Sequence, residues 1–435
     1  MIRVSDRGLC CGCGACVAVC PRGALRLGRD AMGFEYPEVS PELCTDCGRC
    51  EKVCGFPAAV EAAERTPDAA AGKAFEGGAE VFSGSGGEVC AEVFSGSGGE
   101  VCAESGAASP GGLHRPLRSL AARHKDLSEI MRSRSGAAFP ALTEALLQRG
   151  GTVFGAELSP SCRSVEHRAA HSPAARDRFR GSKYIQSSTA QAFAQLRKEL
   201  SEGREAIFSG TPCQCHALLL FLPAALRQNL TLIDFVCHGV ASPAFWDRYL
   251  GYIGKGKTVV KADFRDKGRF GWKAHRESFI LSDGTLKTSR SFTDIYYKHL
   301  MMRPSCLKCP FCSTSRCSDI TLADFWGREK SDASLNPDDR GCSLLLVNSP
   351  KGMKLLDAAS PLLDIKEVNL DDCLQRPLRE RLVPGAECGA FERDFCSGVA
   401  MRKLLRRYGD RNLRTALRRF YLYLRRHLRR MLKRC

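Results

Sequence analysis

Long apolar runs are missing from these 435 residues. The longest, Ala217 to Leu222, meets Pro223 far short of the roughly 20 residues that cross a bilayer, so no transmembrane helix is expected. Also missing after Met1 is a charged segment followed by an apolar one, the pattern of an export signal. Without it the cysteines are expected to stay reduced, in a cytoplasmic setting. Acid is nearly absent from one stretch: Met401 to Cys435 holds 14 Lys and Arg and a single acid, Asp410. That stretch carries +13 of the net +17 and leaves +4 for the other 400 residues, the balance of an ordinary enzyme with a basic tail. No aromatic stacking platform accompanies the charge, so nucleic acid is not the expected partner.

Cysteine, by contrast, is abundant, with 24 in the chain. Eight fall in two runs, Cys10-x2-Cys13-x2-Cys16-x3-Cys20-Pro21 and Cys44-x2-Cys47-x2-Cys50-x3-Cys54. A [4Fe-4S] cube needs four thiolates. Three close in sequence let one tight loop reach three irons, and in two-cluster ferredoxins the fourth ligand comes from the other run. Cys10, Cys13, Cys16 and Cys54 are therefore expected to hold one cube, and Cys44, Cys47, Cys50 and Cys20 the other. Zinc also takes Cys-x2-Cys pairs, but it has no use for a repeated triple followed by Cys-Pro. Cys11 lies outside the pattern, and Cys54-Gly55 replaces the usual Cys-Pro.

A chain of this length exceeds one core. Residues 1–60 read as the two-cluster domain, an α+β ferredoxin-like module. Residues 61–112 read as a low-complexity linker, in which Ala79–Cys90 recurs unchanged as Ala91–Cys102. A duplication of that kind is tolerated where a loop costs little to lengthen. Residues 113–400 alternate strand and helix patterns, the signature of an α/β domain. Strands are expected at Thr152–Phe154, Ala206–Phe208, Leu230–Val236, Val259–Phe264, Ser278–Leu281, Asp319–Trp326 and Gly341–Val347, with helices at Phe139–Leu147, Ala190–Leu200 and Lys351–Ala359. Cys213 and Cys237 come just past two strand ends, where α/β folds place their sites.

The blocks Ser133-Arg134-Ser135-Gly136, Gly181-Ser182-Lys183-Tyr184-x-Gln186-Ser187, Ser209-Gly210-Thr211-Pro212-Cys213-Gln214, Cys237-His238-Gly239, Phe264-Arg265-Asp266-Lys267, and Arg303 to Cys309 with Asp319 to Gly327 occur in this order. Together they resemble the coenzyme F420 hydrogenase/dehydrogenase beta-subunit family, over Arg132 to about Leu363. The resemblance implies an α/β flavin-binding core and an iron-sulfur oxidoreductase with FAD. Where the family has Ser-Ser-Ser-Gly-Gly, this chain has Ser133-Arg134-Ser135-Gly136-Ala137, whose guanidinium suits a flavin phosphate. After Gln214 it has Cys215-His216-Ala217 in place of a glycine before leucine.

On that reading Ser133, Arg134, Ser135, Gly136, Gly181, Ser182, Lys183, Tyr184, Gln186 and Ser187 are the candidate flavin contacts, with Ser135-Gly136 offering amides at a helix start. Lys183 is assigned a charge role, and His238 is the candidate proton donor. A third cube is expected from Cys213, Cys237, Cys306 and Cys309. Its rivals are a local set using Cys312 and Cys317, and Cys213 acting as a reactive thiol. The remaining Cys162, Cys342, Cys373, Cys388 and Cys396 are expected to be buried. Electrons would pass between clusters, FAD and a substrate or a redox partner protein; the alternative is an electron-transfer subunit or scaffold without its own substrate. In the tail, residues 401–435, apolar residues from Leu413 to Leu432 share one helical face and arginines the rest. Such a basic amphipathic helix either packs on the core or lies peripherally on an anionic membrane, at its inner face.

Overall fold

The computed structural model describes residues 2, 4–65, 113–327, 334 and 336–409. The duplicated segment and the stretch from Leu413 lie outside them. Among the described residues no helix is long and apolar enough to cross a membrane.

The N-terminal module is built on an antiparallel hairpin of Leu25–Arg29 (β1) and Glu35–Val39 (β2), with the two cysteine runs on either side in sequence. Strands Arg118–His124 (β3), Thr152–Leu158 (β4), Val165–Ala170 (β5), Ser187–Ser188 (β6), Ala206–Gly210 (β7) and Leu230–Phe235 (β8) follow. A separate antiparallel sheet comes next, made of Val259–Asp263 (β9), Glu277–Leu281 (β10) and Leu286–Ser289 (β11). Ile320–Asp324 (β12), Ser343–Val347 (β13) and Leu363–Glu367 (β14) return to the main sheet. That sheet has nine strands in the order β14-β3-β13-β12-β8-β7-β4-β5-β6. β4, β7, β8 and β12 run parallel at its centre, and antiparallel strands finish both sides.

Side chains alternate across each strand, so the sheet needs apolar cover on both faces. Ile207, Ile233 and Leu345 face the helices Ala138–Gln148 and Pro350–Ala359. Phe208 and Leu232 face the helices Ala190–Ser201 and Pro212–Phe221. A third core is aromatic: Phe245, Trp246 and Tyr249 of the helix Pro243–Gly254 pack with Phe279, Phe292 and Tyr296, and Met32 and Phe34 of the N-terminal module join it.

The observed elements overlap each strand and helix expected from the pattern. Two boundaries shift. The helix Phe56–Arg65 runs past residue 60 into the stretch read as linker. The helix Met401–Arg407 opens the stretch read as tail, yet its Met401, Leu404 and Leu405 are buried in the aromatic core. Tyr408 donates to Asp394 Oδ2 at 2.7 Å, which fixes this turn to the preceding helix. Two cysteines also depart from expectation: Cys162, Cys342 and Cys373 are buried, but Cys388 is half-buried and Cys396 is exposed, Cys396 because it sits in the last turn of a helix whose inward face is taken by Phe391 and Phe395.

Candidate functional site

The first cysteine run winds tightly because Gly12 and Gly14 both adopt left-handed backbone, with φ of 69° each. A Cβ on Gly12 would lie 2.4 Å from Gln186 Nε2 and 2.8 Å from Arg303 Cζ, so no other residue fits. Burial pushes the Cys16 thiol up, and Cys13, Cys10 and Cys54 are the neighbours that add to it. Burial likewise raises Cys54, to about 11, with Cys13, Cys10 and Cys50 close by. The set expected for the first cube is thus gathered. Cys20, Cys44, Cys47 and Cys50 line one cavity together, which gathers the second. A cube spreads its thiolates around a bulky inorganic core, so ligands ring a space and do not meet at a point. Among the described residues no three Cys, His, Asp or Glu side chains close on a site that could hold a metal ion. Soft sulfur donors in fours suit iron-sulfur clusters.

A third group of thiols stands at the C-terminal ends of the parallel strands. Cys213 follows β7 at the start of its helix, Cys237 follows β8, and Cys306 lies on the short helix Pro304–Leu307. Burial raises Cys237, and its sulfur neighbours are Cys306, Cys213 and Cys312. Burial also raises Cys306, to about 12, against the Val240 amide, which donates to its sulfur at 3.4 Å. Cys309 is raised first by its hydrogen bond to Cys312 and then by burial, with Cys213 and Cys306 nearby. All four expected ligands are therefore neighbours, with Cys312 beside them. Cys317 is turned away, its Sγ donating to Pro212 O at 3.9 Å. Cys215 is fully buried under the same strands and reaches the carbonyls of Gly210 and Ile233, each at 4.0 Å.

Cys11, outside the spacing pattern, is the sulfur between the first and third groups. Its neighbours Cys13 and Cys213, and then burial, hold its thiol well above the ordinary range. The Cys11 thiol beside them is the first reason Cys13 is lowered and Cys213 falls to about 7. Leu9, Cys11, Cys213 and Cys309 pack around Phe56 and Phe311.

Beyond Cys237 lies a cluster of buried bases and aromatic rings. Arg265 Nη1 donates to Asp324 Oδ2 at 2.7 Å and to Tyr184 Oη at 3.4 Å. Burial opposes the Arg265 charge, but Tyr184 and Asp324 hold its pKa above the ordinary value. Arg134 donates to the carbonyls of Arg265 and Trp272, and burial beside Arg265 lowers it to about 10. Trp272 stacks on Trp326 with centroids 4.5 Å apart, and Tyr297 bonds His275 Nδ1 at 2.8 Å. Among the described residues, Arg134 Nε and Arg265 Nε and Nη2 are buried with no partner. Unmet donors between aromatic walls are what a planar, phosphate-bearing cofactor such as FAD would satisfy, so the residues fit that group.

The other sequence candidates sit as follows. Tyr184 is in this cluster, against Phe264 and Tyr296. Ser133 Oγ accepts from Arg180 at 2.9 Å, Ser135 Oγ donates to Cys342 O at 2.6 Å, and the Gly136 amide donates to Ser343 Oγ at 3.0 Å. A Cβ on Gly136 would lie 2.4 Å from Ala122 O, so this glycine permits strand packing. Gly181 is exposed and Ser182 half-buried at the bend before Lys183. Lys183 Nζ donates to the carbonyls of Arg178, Phe179 and Arg180, and burial lowers its pKa to about 7. Ser187 Oγ bonds His167 Nδ1 at 2.7 Å. Gln186 points to the N-terminal module: its Nε2 donates to Gly12 O at 3.3 Å and its Oε1 accepts from Arg303 and the Glu35 amide. His238 lies between the third thiol group and Tyr297, whose ring is 6.4 Å away. Burial pulls its pKa down to about 4, so the ring is uncharged at neutral pH. Arg303, Arg265 and Asp324 carry much of this geometry, yet the sequence offered only their membership of motif blocks.

Residues 203–372 match the family model for the C terminus of the coenzyme F420 hydrogenase/dehydrogenase beta subunit, and residues 9–58 match "4Fe-4S dicluster domain". The B component of the Na(+)-translocating ferredoxin:NAD(+) oxidoreductase complex of Acetobacterium woodii is 47% identical over 45 residues, 10% of this chain and 12% of that protein. A ferredoxin of Pyrobaculum islandicum is 40% identical over 70 residues, 16% of this chain and 62% of that protein. The chain thus spans less than two thirds of either relative. A chain in a solved structure of the F420-reducing [NiFe] hydrogenase complex from Methanosarcina barkeri superposes with a TM-score of 0.42 at 15% identity, covering 67% of this chain and 90% of that one.

Proposed function

We propose, for a chain that joins a 4Fe-4S dicluster domain to a coenzyme F420 hydrogenase/dehydrogenase beta-subunit region, an iron-sulfur flavoprotein that passes electrons through three clusters to FAD and an unidentified substrate. The observation that supports it most is the line of three thiol groups ending beside Arg134, Arg265 and their aromatic neighbours. When bound, the clusters carry single electrons and the flavin joins one-electron to two-electron chemistry.

The residues of this chain have separate tasks in that scheme. Cys20, Cys44, Cys47 and Cys50 hold the cube at the outer end, where Cys47 is exposed and a redox partner can approach. Cys10, Cys13, Cys16 and Cys54 hold the middle cube. Cys213, Cys237, Cys306 and Cys309 hold the inner one, and Cys11 lies between the last two, beside Cys13 and Cys213. Arg134 and Arg265 supply fixed positive charge to the flavin, while Asp324 and Tyr184 keep Arg265 in place. Tyr297, 38% exposed, and its partner His275 mark the side open to a substrate. His238 serves there as a neutral N–H donor, since burial keeps it unprotonated.

The test is replacement of Arg265 by Met in the full chain, purified anaerobically. Flavin content should fall at least tenfold while iron stays at about twelve per chain. Full flavin retention would remove these residues from this role.

A further inference from the structure

Arg303 is fully buried, and its partners are unusual for a buried charge. Nε donates to Cys10 O at 2.9 Å, Nη1 to Gln186 Oε1 at 2.7 Å, and Nη2 to Glu35 O at 2.9 Å. Nη2 also lies 3.6 Å from Cys10 Sγ. The rings of Tyr36 and Phe34 stand 4.4 and 5.5 Å from the guanidinium carbon. Among the described residues these partners are carbonyls, an amide, a thiol and two rings, and none is a carboxylate. A buried cation without a counter-charge is costly, and polar neighbours repay only part of that cost. A cube bound at Cys10 would bring negative charge against this guanidinium, because four thiolates outweigh the charge of the iron-sulfide core.

The same residue belongs to the inner site. Arg303 caps the helix that carries Cys306, and its amide donates to Val240 O at 3.0 Å, in the residue whose own amide bonds Cys306 Sγ. One residue thus places its guanidinium against Cys10 of the middle set and its backbone at the start of the helix that carries Cys306 of the inner set.

Building on the three-cluster reading, we propose that Arg303 is the shared counter-charge of the middle and inner clusters, a positioning residue that raises the reduction potential of both. A cluster gains negative charge on reduction, so a nearby cation stabilises the reduced form. In a buried setting the effect is little screened. With both potentials raised by the same group, the step between them stays close to level. The outer cluster, with none of its ligands in contact with Arg303, is unaffected.

The experiment is an EPR-monitored redox titration of the full chain, purified anaerobically, with signals assigned by their loss in Cys47→Ser, Cys16→Ser and Cys213→Ser. Arg303→Gln removes the charge. Gln186→Glu neutralises it in place, because the new carboxylate sits where Oε1 already accepts from Nη1, and Gln186→Leu disturbs the same junction without changing charge. Arg303→Gln and Gln186→Glu should each shift the middle cluster's reduction equilibrium about tenfold toward the oxidised form, about 59 mV for one electron. The inner cluster should move in the same direction by less, the outer cluster not at all, and Gln186→Leu should leave all three in place. If Arg303→Gln fails to hold its clusters, Gln186→Glu decides alone. Unmoved middle and inner potentials in a protein with about twelve irons overturn the inference and leave the three-cluster reading intact. A parent protein with about eight irons ends that reading first, before any potentials are compared.

Discussion

Two cysteine runs of identical spacing end in opposite surroundings. In the first, the position between Cys11 and Cys13 is Gly12; in the second, the equivalent position is Asp46. Both residues are left-handed, with φ of 69° and 51°. Left-handed backbone disfavours most side chains but tolerates Asp. What separates the two positions is space, since a Cβ on Gly12 would strike Gln186 and Arg303, whereas the second run turns toward solvent, with Cys47 exposed. The next left-handed glycines repeat the contrast: a Cβ on Gly14 would lie 2.8 Å from the Ala190 Cβ, while Gly48 has nothing nearer than Glu51 Oε2 at 3.9 Å. The repeat is a sequence symmetry that packing breaks. One run is bonded into the α/β core and the other turns to solvent.

Exchanging the two left-handed residues tests that contrast most severely. Gly12→Ala should lose the middle cube, about four irons, and about 2 kcal/mol or more of stability from backbone strain and the clash. Asp46→Gly should keep the full iron content, with a stability change within about 1 kcal/mol. Iron assay and urea unfolding read both. Equal effects would mean that the two runs share one environment.

A smaller loss is expected on the core side alone. Cys213→Ser and Cys237→Ser should each lose about four irons, whereas Cys312→Ser and Cys317→Ser should lose none. The reverse pattern would select the local ligand set.

The buried side should also respond to acid where the exposed side does not. His167 bonds Ser187 and the Ser209 carbonyl, and burial lowers its pKa from 6.5 to about 4. The unfolded chain therefore binds a proton that the fold refuses between those values, so stability is complete above about pH 6.5 and falls as the pH drops toward 4. Between pH 6.5 and 5 the parent should lose about 1.5 kcal/mol more than His167→Gln by urea unfolding. Parallel curves would show that His167 protonates freely.

The smallest effect on the fold is expected at the tail. Because Met401–Arg407 packs in the aromatic core, a clean truncation begins after Gly409. Removing residues 410–435 should leave iron and flavin unchanged and abolish salt-sensitive sedimentation with anionic vesicles. Loss of flavin on truncation would assign the amphipathic face to the core.

What the sequence disclosed follows the range of each interaction. Cluster ligands from one tight loop announce themselves by spacing, and the alternating strands and helices of the core are legible because burial imposes a period of two or near four. The block Gly181 to Ser187 is different. As a string it is one motif, but folding sends Lys183 to the carbonyls of the preceding turn, Tyr184 to Arg265, and Gln186 to Gly12 and Arg303. No local pattern encodes partners 81, 174 and 117 residues away. Arg303 was hidden for the same reason, and Cys11 because a thiol beside a motif carries no spacing of its own. Two traces of the asymmetry were legible: Asp46 replaces the glycine of the first run, and Gly55 replaces the proline that follows Cys20.

Iron, sulfide and flavin quantified together on the anaerobically purified full chain test the serial arrangement most directly. About twelve irons with matching sulfide and one flavin per chain are expected. About eight irons would contradict the inner cluster, and no flavin under gentle handling would contradict the flavin site.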